Sequence, residues 1–190
     1  METRQTEVTT WYLEQTSPER LVPARPAPVE VVRAEVPSPE LSRYLYLAVG
    51  GDHLWTDRLP WSHRDWAEWL ARPGVETWLA WDRGTPAGYA ELHPAGGAGE
   101  VELVCFGLLP AFAGRGIGGH LLTAAAARAW DLADRWDLPP TRRVWLHTCS
   151  LDGPAALPNY LKRGFDVYDT RTAVETVWAR PLGPWPGAHD

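Results

Sequence analysis

A polar stretch and then a β-branched and aromatic run open the chain. Residues 8–13, VTTWYL, are β-branched and aromatic and predict a strand. Residues 18–28 carry Pro18, Pro23, Pro26 and Pro28 and predict an extended surface segment. Strand character returns at 29–34. Ser38-Pro39-Glu40 then reads as a helix start, with an N-cap serine, proline at the first helical position and an acid in the first turn. That helix would run to Ala48 and stop at Gly50-Gly51. A second is predicted from Ser62, where Asp65 supplies a short form of the capping box, to Pro73-Gly74.

The period then changes. Residues 76–81 and 87–93 are short β-type runs joined by the turn sequence Asp82-Arg83-Gly84-Thr85. Gly96-Gly97-Ala98-Gly99 is a second loop. Residues 101–109 form an apolar run interrupted by Glu102. After a glycine-rich turn, a long helix is predicted over 117–136, with Ile117, Leu121, Leu122, Ala125 and Ala129 on one stripe. Residues 143–149 predict a strand, 153–163 a short helix, and Gly164-Phe165 the start of another strand. A last strand at 174–179 precedes a Pro/Gly tail. This interleaving argues an α/β protein with a mixed sheet and helices on its faces.

Composition narrows the class. A chain of 190 residues supports one core, not two. The net charge of −6 argues against a nucleic-acid footprint. Cys105 and Cys149 sit in strand-like runs without metal-type spacing, so buried thiols and no metal site are expected. No leader pattern and no apolar run of membrane-spanning length is present, so a cytoplasmic protein is expected. The twelve tryptophans suit a core or a flat aromatic pocket.

Residues 114–119, GRGIGG, match G-x-G-x-x-G. A strand before and a helix after would aim free N–H groups and the helix dipole at a phosphate. A dinucleotide site expects this turn after the first strand and an acid about 20 residues later. Here several elements precede the turn, and Pro139-Pro140 stand at that distance. A tight connection without a ligand is the plain alternative.

The segment 109–122, LPAFAGRGIGGHLL, resembles the coenzyme A-binding motif Q/R-x-x-G-x-G/A of the GNAT superfamily of N-acetyltransferases. Gly116 and Gly118 fit its glycines, while Ala113 stands where the motif prefers Gln or Arg. Residues 160–165, YLKRGF, are similar to the family's Y-x-x-x-G-F segment. The stretches LDGPAALPNY, YLYLAVGGDHLW and TWYLE also resemble one bacterial subgroup. The resemblance implies a single domain over 29–180, with a mostly antiparallel mixed sheet and helices on both faces. Residues 1–28 would be an N-terminal extension and 181–190 a tail. It further implies acetyl-CoA as co-substrate, held by backbone N–H groups across Ala113, Gly114, Arg115, Gly116, Ile117, Gly118 and Gly119. Main-chain groups of Phe106 and Leu108 would bind the pantetheine arm. Arg115 could add a side-chain contact to a phosphate.

Acyl transfer to an amine needs a base, an oxyanion donor and an acid for the leaving thiolate. Glu102 lies in the strand entering the turn, at the spacing of the catalytic glutamate in histone-acetylating members. It reads either as the base or as a solvent-facing strand residue. Glu91 could share the role or be structural. The resemblance implies that Tyr160 is the general acid; the residue also reads as an aromatic packing a helix on the sheet. Asp52, His53, Trp55 and Asp57, with Trp61 nearby, would line an amine site through charge and cation–π contact. His147 and Cys149 share one strand face, but nothing there activates a thiol nucleophile.

The expected activity is acyl transfer to a small-molecule amine, with a protein lysine or N-terminus as second choice. A homodimer is compatible; nucleic-acid and membrane partners are not expected. A non-catalytic acyl-CoA-binding module and a transferase using a carrier- or tRNA-bound donor are the rival classes.

Overall fold

The computed structural model describes residues 2–95 and 97–183. Seven strands form one sheet: β1 (Thr3–Gln15), β2 (Glu30–Arg33), β3 (Glu76–Asp82), β4 (Thr85–Pro94), β5 (Glu100–Leu108), β6 (Arg143–Cys149) and β7 (Asp166–Trp178). Their order is β2-β3-β4-β5-β6-β1-β7. Neighbours pair antiparallel except β5 and β6, which run parallel. The helices are α1 (Pro39–Gly50), α2 (His63–Leu70), α3 (Ile117–Trp130) and α4 (Ala156–Lys162).

Strand alternation divides the core into two layers. On one face, Leu121, Leu122 and Ala125 of α3 and Tyr160 of α4 pack on Leu13, Leu92, Val101, Leu103, Val144 and Leu146. On the other, Leu45, Tyr46 and Val49 of α1 and Trp66 of α2 pack on Leu79, Tyr89 and Cys105. Both helix starts follow their caps. Ser38 accepts from the Leu41 N–H, and Ser62 with Asp65 forms a complete capping box. No helix among the described residues is long and apolar enough to cross a membrane.

Three elements differ from the sequence expectation. The strand expected at 8–13 spans thirteen residues and lies inside the sheet, between β6 and β7. A boundary at residue 28 therefore does not separate it from the sheet. The helix expected to reach Trp136 ends at Trp130. Arg135 folds back and donates to the carbonyls of Arg128 (2.6 Å) and Asp131 (3.1 Å), which satisfies the helix end and turns the chain. The two strands expected after Gly164 are one, because β1 offers a continuous partner as far as Thr3. Gly96 of the expected loop and 184–190 of the expected tail lie outside the described residues.

The proline-rich segment 18–28 is a strap across α3 and α4. The Val22 N–H donates to the Arg163 carbonyl, and the Ala24 N–H to Thr123 Oγ1. Gly164 turns beneath it at φ +83°, and a Cβ there would overlap the Arg20 carbonyl oxygen.

Candidate active site

β5 and β6 stay together only briefly. Their pairing runs from Glu100↔Arg143 to Glu102↔Trp145 and stops there. Arg143 holds this closed end through Glu14 and Glu100. Beyond it, Val104 is an extra residue, since Leu92 faces Leu103 and Glu91 faces Cys105. Such a bulge bends a strand. The Leu109 N–H donates to Ala87, toward β4. Alternation then turns the main-chain groups of Phe106 and Leu108 to the opposite edge, into the gap left by β6.

The glycine turn lies beyond β5. Ala113 to Gly116 are exposed. Gly114 and Gly116 adopt φ +75° and +77°, and an added Cβ would meet nothing within 4 Å at either. The turn is open, and glycine is needed there for conformation alone. Gly116 caps α3 without a side-chain bond, leaving the first N–H groups of the helix to an external acceptor. Buried Ile117 anchors this end. The Gly118 carbonyl accepts from Asn159 (3.4 Å), and Gly119 packs under Ala24 and Arg163. Arg115 does not project over the turn. It donates to Asp82 (2.6 Å) and covers Phe112. That bond, first among its causes, holds the Asp82 carboxyl below its ordinary range.

Tyr160 is buried between Phe106 and Phe165, with ring centroids 5.8 and 6.3 Å away. Burial pushes its hydroxyl well above the ordinary tyrosine value, so it keeps its proton at neutral pH.

On the α1–α2 side, a cavity of about 510 Å³ lies between the sheet and the loop after α1. His53, Trp55 and Asp57 line it, together with Tyr12, His147, Asp152, Glu175 and Trp178. Asp52 lies in the short turn Gly51–His53 and is not on this wall. Glu91 corrects the expectation of a substrate-facing acid. It is 1% exposed, and its oxygens accept from Arg58 Nη1 (3.1 Å), Arg58 Nη2 (2.7 Å) and Trp69 Nε1 (2.9 Å). Arg58 sits among the rings of Tyr46, Trp61, Trp66 and Trp69. Several of the tryptophans thus build the layer beneath α1 and α2 and do not form an open aromatic platform.

Glu102 is also set back. Its side chain is 14% exposed and is absent from the cavity wall. Its Oε1 lies 3.6 Å from Nδ1 of His147, which is on the wall. In the sequence, His147 stands out only as a partner for Cys149. Residues 145, 147 and 149 visibly share a face, but the parallel contact with β5 that sets His147 beside Glu102 is a tertiary fact. Burial pushes the Cys105 thiol up to about 12 and raises Cys149 also, so neither offers a ready thiolate.

A splayed parallel pair, a bulged strand and a glycine turn capping a helix define an acetyltransferase-type fold. The profile of the acetyltransferase (GNAT) family matches residues 41–165, and the chain belongs to that family. It is similar to a GNAT-family structure from Novosphingobium aromaticivorans (18% identity, TM-score 0.61, 93% of this chain and 68% of that one). A GCN5-related N-acetyltransferase from Kribbella flavida is 22% identical with TM-score 0.61, over 92% of this chain and 60% of that one. Another from Sphaerobacter thermophilus is 16% identical with TM-score 0.58, over 94% and 54%. At these identities the likeness establishes the fold. No curated protein matches the chain significantly.

Proposed function

We propose that the chain is an N-acyltransferase that passes an acetyl or similar acyl group from acyl-CoA to a small cationic amine by direct attack. One observation carries this reading: the gap in the sheet has the exposed glycine turn at one end and the aromatic, acidic cavity on one face. The chain's residues fit an acyl-CoA. The open turn and uncapped start of α3 suit a pyrophosphate, and the β5 edge at Phe106 and Leu108 suits an amide-bearing arm and a developing oxyanion. Tyr160, beside Phe106, would protonate the leaving thiolate. Glu102 supplies the carboxylate on the deprotonation side.

The acceptor is read from the wall. Asp57, Asp152 and Glu175 bring negative charge, and Tyr12, Trp55 and Trp178 bring aromatic surface. Asp152 is fixed by Thr148 Oγ1 (2.6 Å) and the Cys149 N–H (3.0 Å). Arg58, the arginine on that wall, is already matched by Glu91. A walled cavity favours a small molecule over a protein lysine or N-terminus, and acyl-CoA use suits a cytoplasmic setting. The test is incubation with acetyl-CoA and a panel of arylalkyl, polyamine and amino-acid amines, following thiol release. Amine-dependent release is expected; coenzyme A binding without release for any amine would leave only a binding module.

A further inference from the structure

We propose that His147 takes the proton from the acceptor ammonium and that Glu102 is the positioning carboxylate behind it. This rests on the acyltransferase reading above. Of the two residues, only His147 reaches the cavity wall. Its side chain is 49% exposed while that of Glu102 is 14% exposed. His147 lies two residues past Trp145, the last partner of β5, and therefore at the point where the strands part. An acceptor nitrogen approaching a thioester in the gap passes this ring.

The ring is oriented for the task. Nδ1 faces Glu102 at 3.6 Å, which favours the Nδ1–H tautomer and leaves the Nε2 lone pair as the acceptor. A few tenths of an ångström of side-chain movement make this a full hydrogen bond, and such contacts tighten in the reacting complex. The Tyr12 ring, with its centroid 5.9 Å away, packs beside the imidazole. The charged groups that lift the imidazole are acidic, Glu102 on β5, Asp57 after α1 and Asp152 after β6, while Arg58, which shares the cavity wall, is matched by Glu91. Glu102 is the foremost cause that lifts the imidazole above its ordinary value, against an opposing effect of burial. A base lifted in this way is matched to proton transfer near neutral pH.

The protons balance. The ammonium gives one proton to Nε2, and the freed nitrogen forms the C–N bond. The tetrahedral adduct expels the thiolate as its C–S bond breaks. The nitrogen's second proton ends on sulfur by way of the Tyr160 hydroxyl, and the first leaves His147 for solvent.

The probes are acetyl-CoA with phenylethylamine and with its weakly basic β,β-difluoro counterpart. In His147→Gln, kcat/KM for phenylethylamine is expected to fall by about 100-fold or more, the usual range for a lost general base. With the difluoro amine, largely unprotonated at neutral pH, the fall is expected to be at least tenfold smaller. Comparing two amines on one variant cancels any loss of folded protein. In Glu102→Gln, the acid limb of the kcat/KM pH profile should move to lower pH, because His147 loses the group that lifts it. Equal falls for the two amines, or wild-type rates in His147→Gln, overturn the role of His147 and leave the acyltransferase reading standing. An unmoved acid limb in Glu102→Gln overturns the positioning role. A wild-type protein that releases no thiol with these or any other amine overturns both readings together.

Discussion

Arg58 and Glu91 form a two-point ion pair inside the protein, with side chains 7% and 1% exposed. The pair ties the loop after α1 to β4, and so fixes the wall of the cavity that carries Asp57. The Arg58 N–H also reaches the Tyr46 hydroxyl at 3.3 Å. Burial raises that hydroxyl to about 12, so it stays protonated.

Removing one member of a buried pair strands the other charge, which typically costs about 3–5 kcal/mol. Arg58→Met is expected to lose that much stability in urea unfolding. The double change Arg58→Met with Glu91→Leu should recover most of it, because no charge is then left buried. Glu91→Leu alone should also exceed the double change. A double variant no more stable than either single one would mean that the pair is not the origin of the loss.

The glycine turn makes a separate prediction. A side chain at φ +77° costs about 1–2 kcal/mol, so Gly116→Val should weaken coenzyme A binding by about tenfold through backbone strain. Ala113→Gln adds a side chain at an exposed, unstrained position and should leave the affinity unchanged or improve it. Calorimetric titration with coenzyme A reads both. Equal losses would count against a cradle made of backbone groups.

Local signals in the sequence located the helix starts, the glycine turn and most strands, because caps, prolines and alternation act over a few residues. Ser62 with Asp65 is a case in which the pattern and the bonds coincide. The resemblance at 109–122 and 160–165 supplied the family. What stayed hidden depends on pairing between distant segments. Nothing in VTTWYL reveals that β1 lies between β6 and β7. Nothing local to Glu91 reveals that Arg58, thirty-three residues earlier, occupies both of its oxygens. His147 gains meaning only once β6 runs beside β5.

Acid should find a weak point at Glu76. It is buried and accepts from Arg33, Arg135, Trp78 and Trp136. Burial alone would raise its pKa, but these bonds outweigh it and hold the carboxyl below its ordinary range. A carboxyl depressed in the folded state contributes stability that is present above its unfolded pKa, about 4.3. That contribution is lost as pH falls through the folded value. Glu76→Gln should therefore lower Tm at pH 7 and flatten the decline of Tm below about pH 4.5. Parallel Tm profiles for the two proteins would place the acid sensitivity elsewhere.

Tyr160→Phe separates packing from chemistry. The ring lies against Phe106 and Phe165, and a phenylalanine fills the same space. Stability should change by less than about 1 kcal/mol, as for most volume-conserving replacements. If the hydroxyl protonates the departing thiolate, kcat should fall by about 100-fold or more while KM for acetyl-CoA stays nearly constant. Its strongly raised pKa adds a second reading. The wild-type hydroxyl remains protonated throughout the range in which the enzyme would be assayed, so no alkaline limb of kcat should belong to it. An alkaline limb that disappears in Tyr160→Phe would contradict the burial argument. An unchanged kcat would reduce Tyr160 to a packing residue.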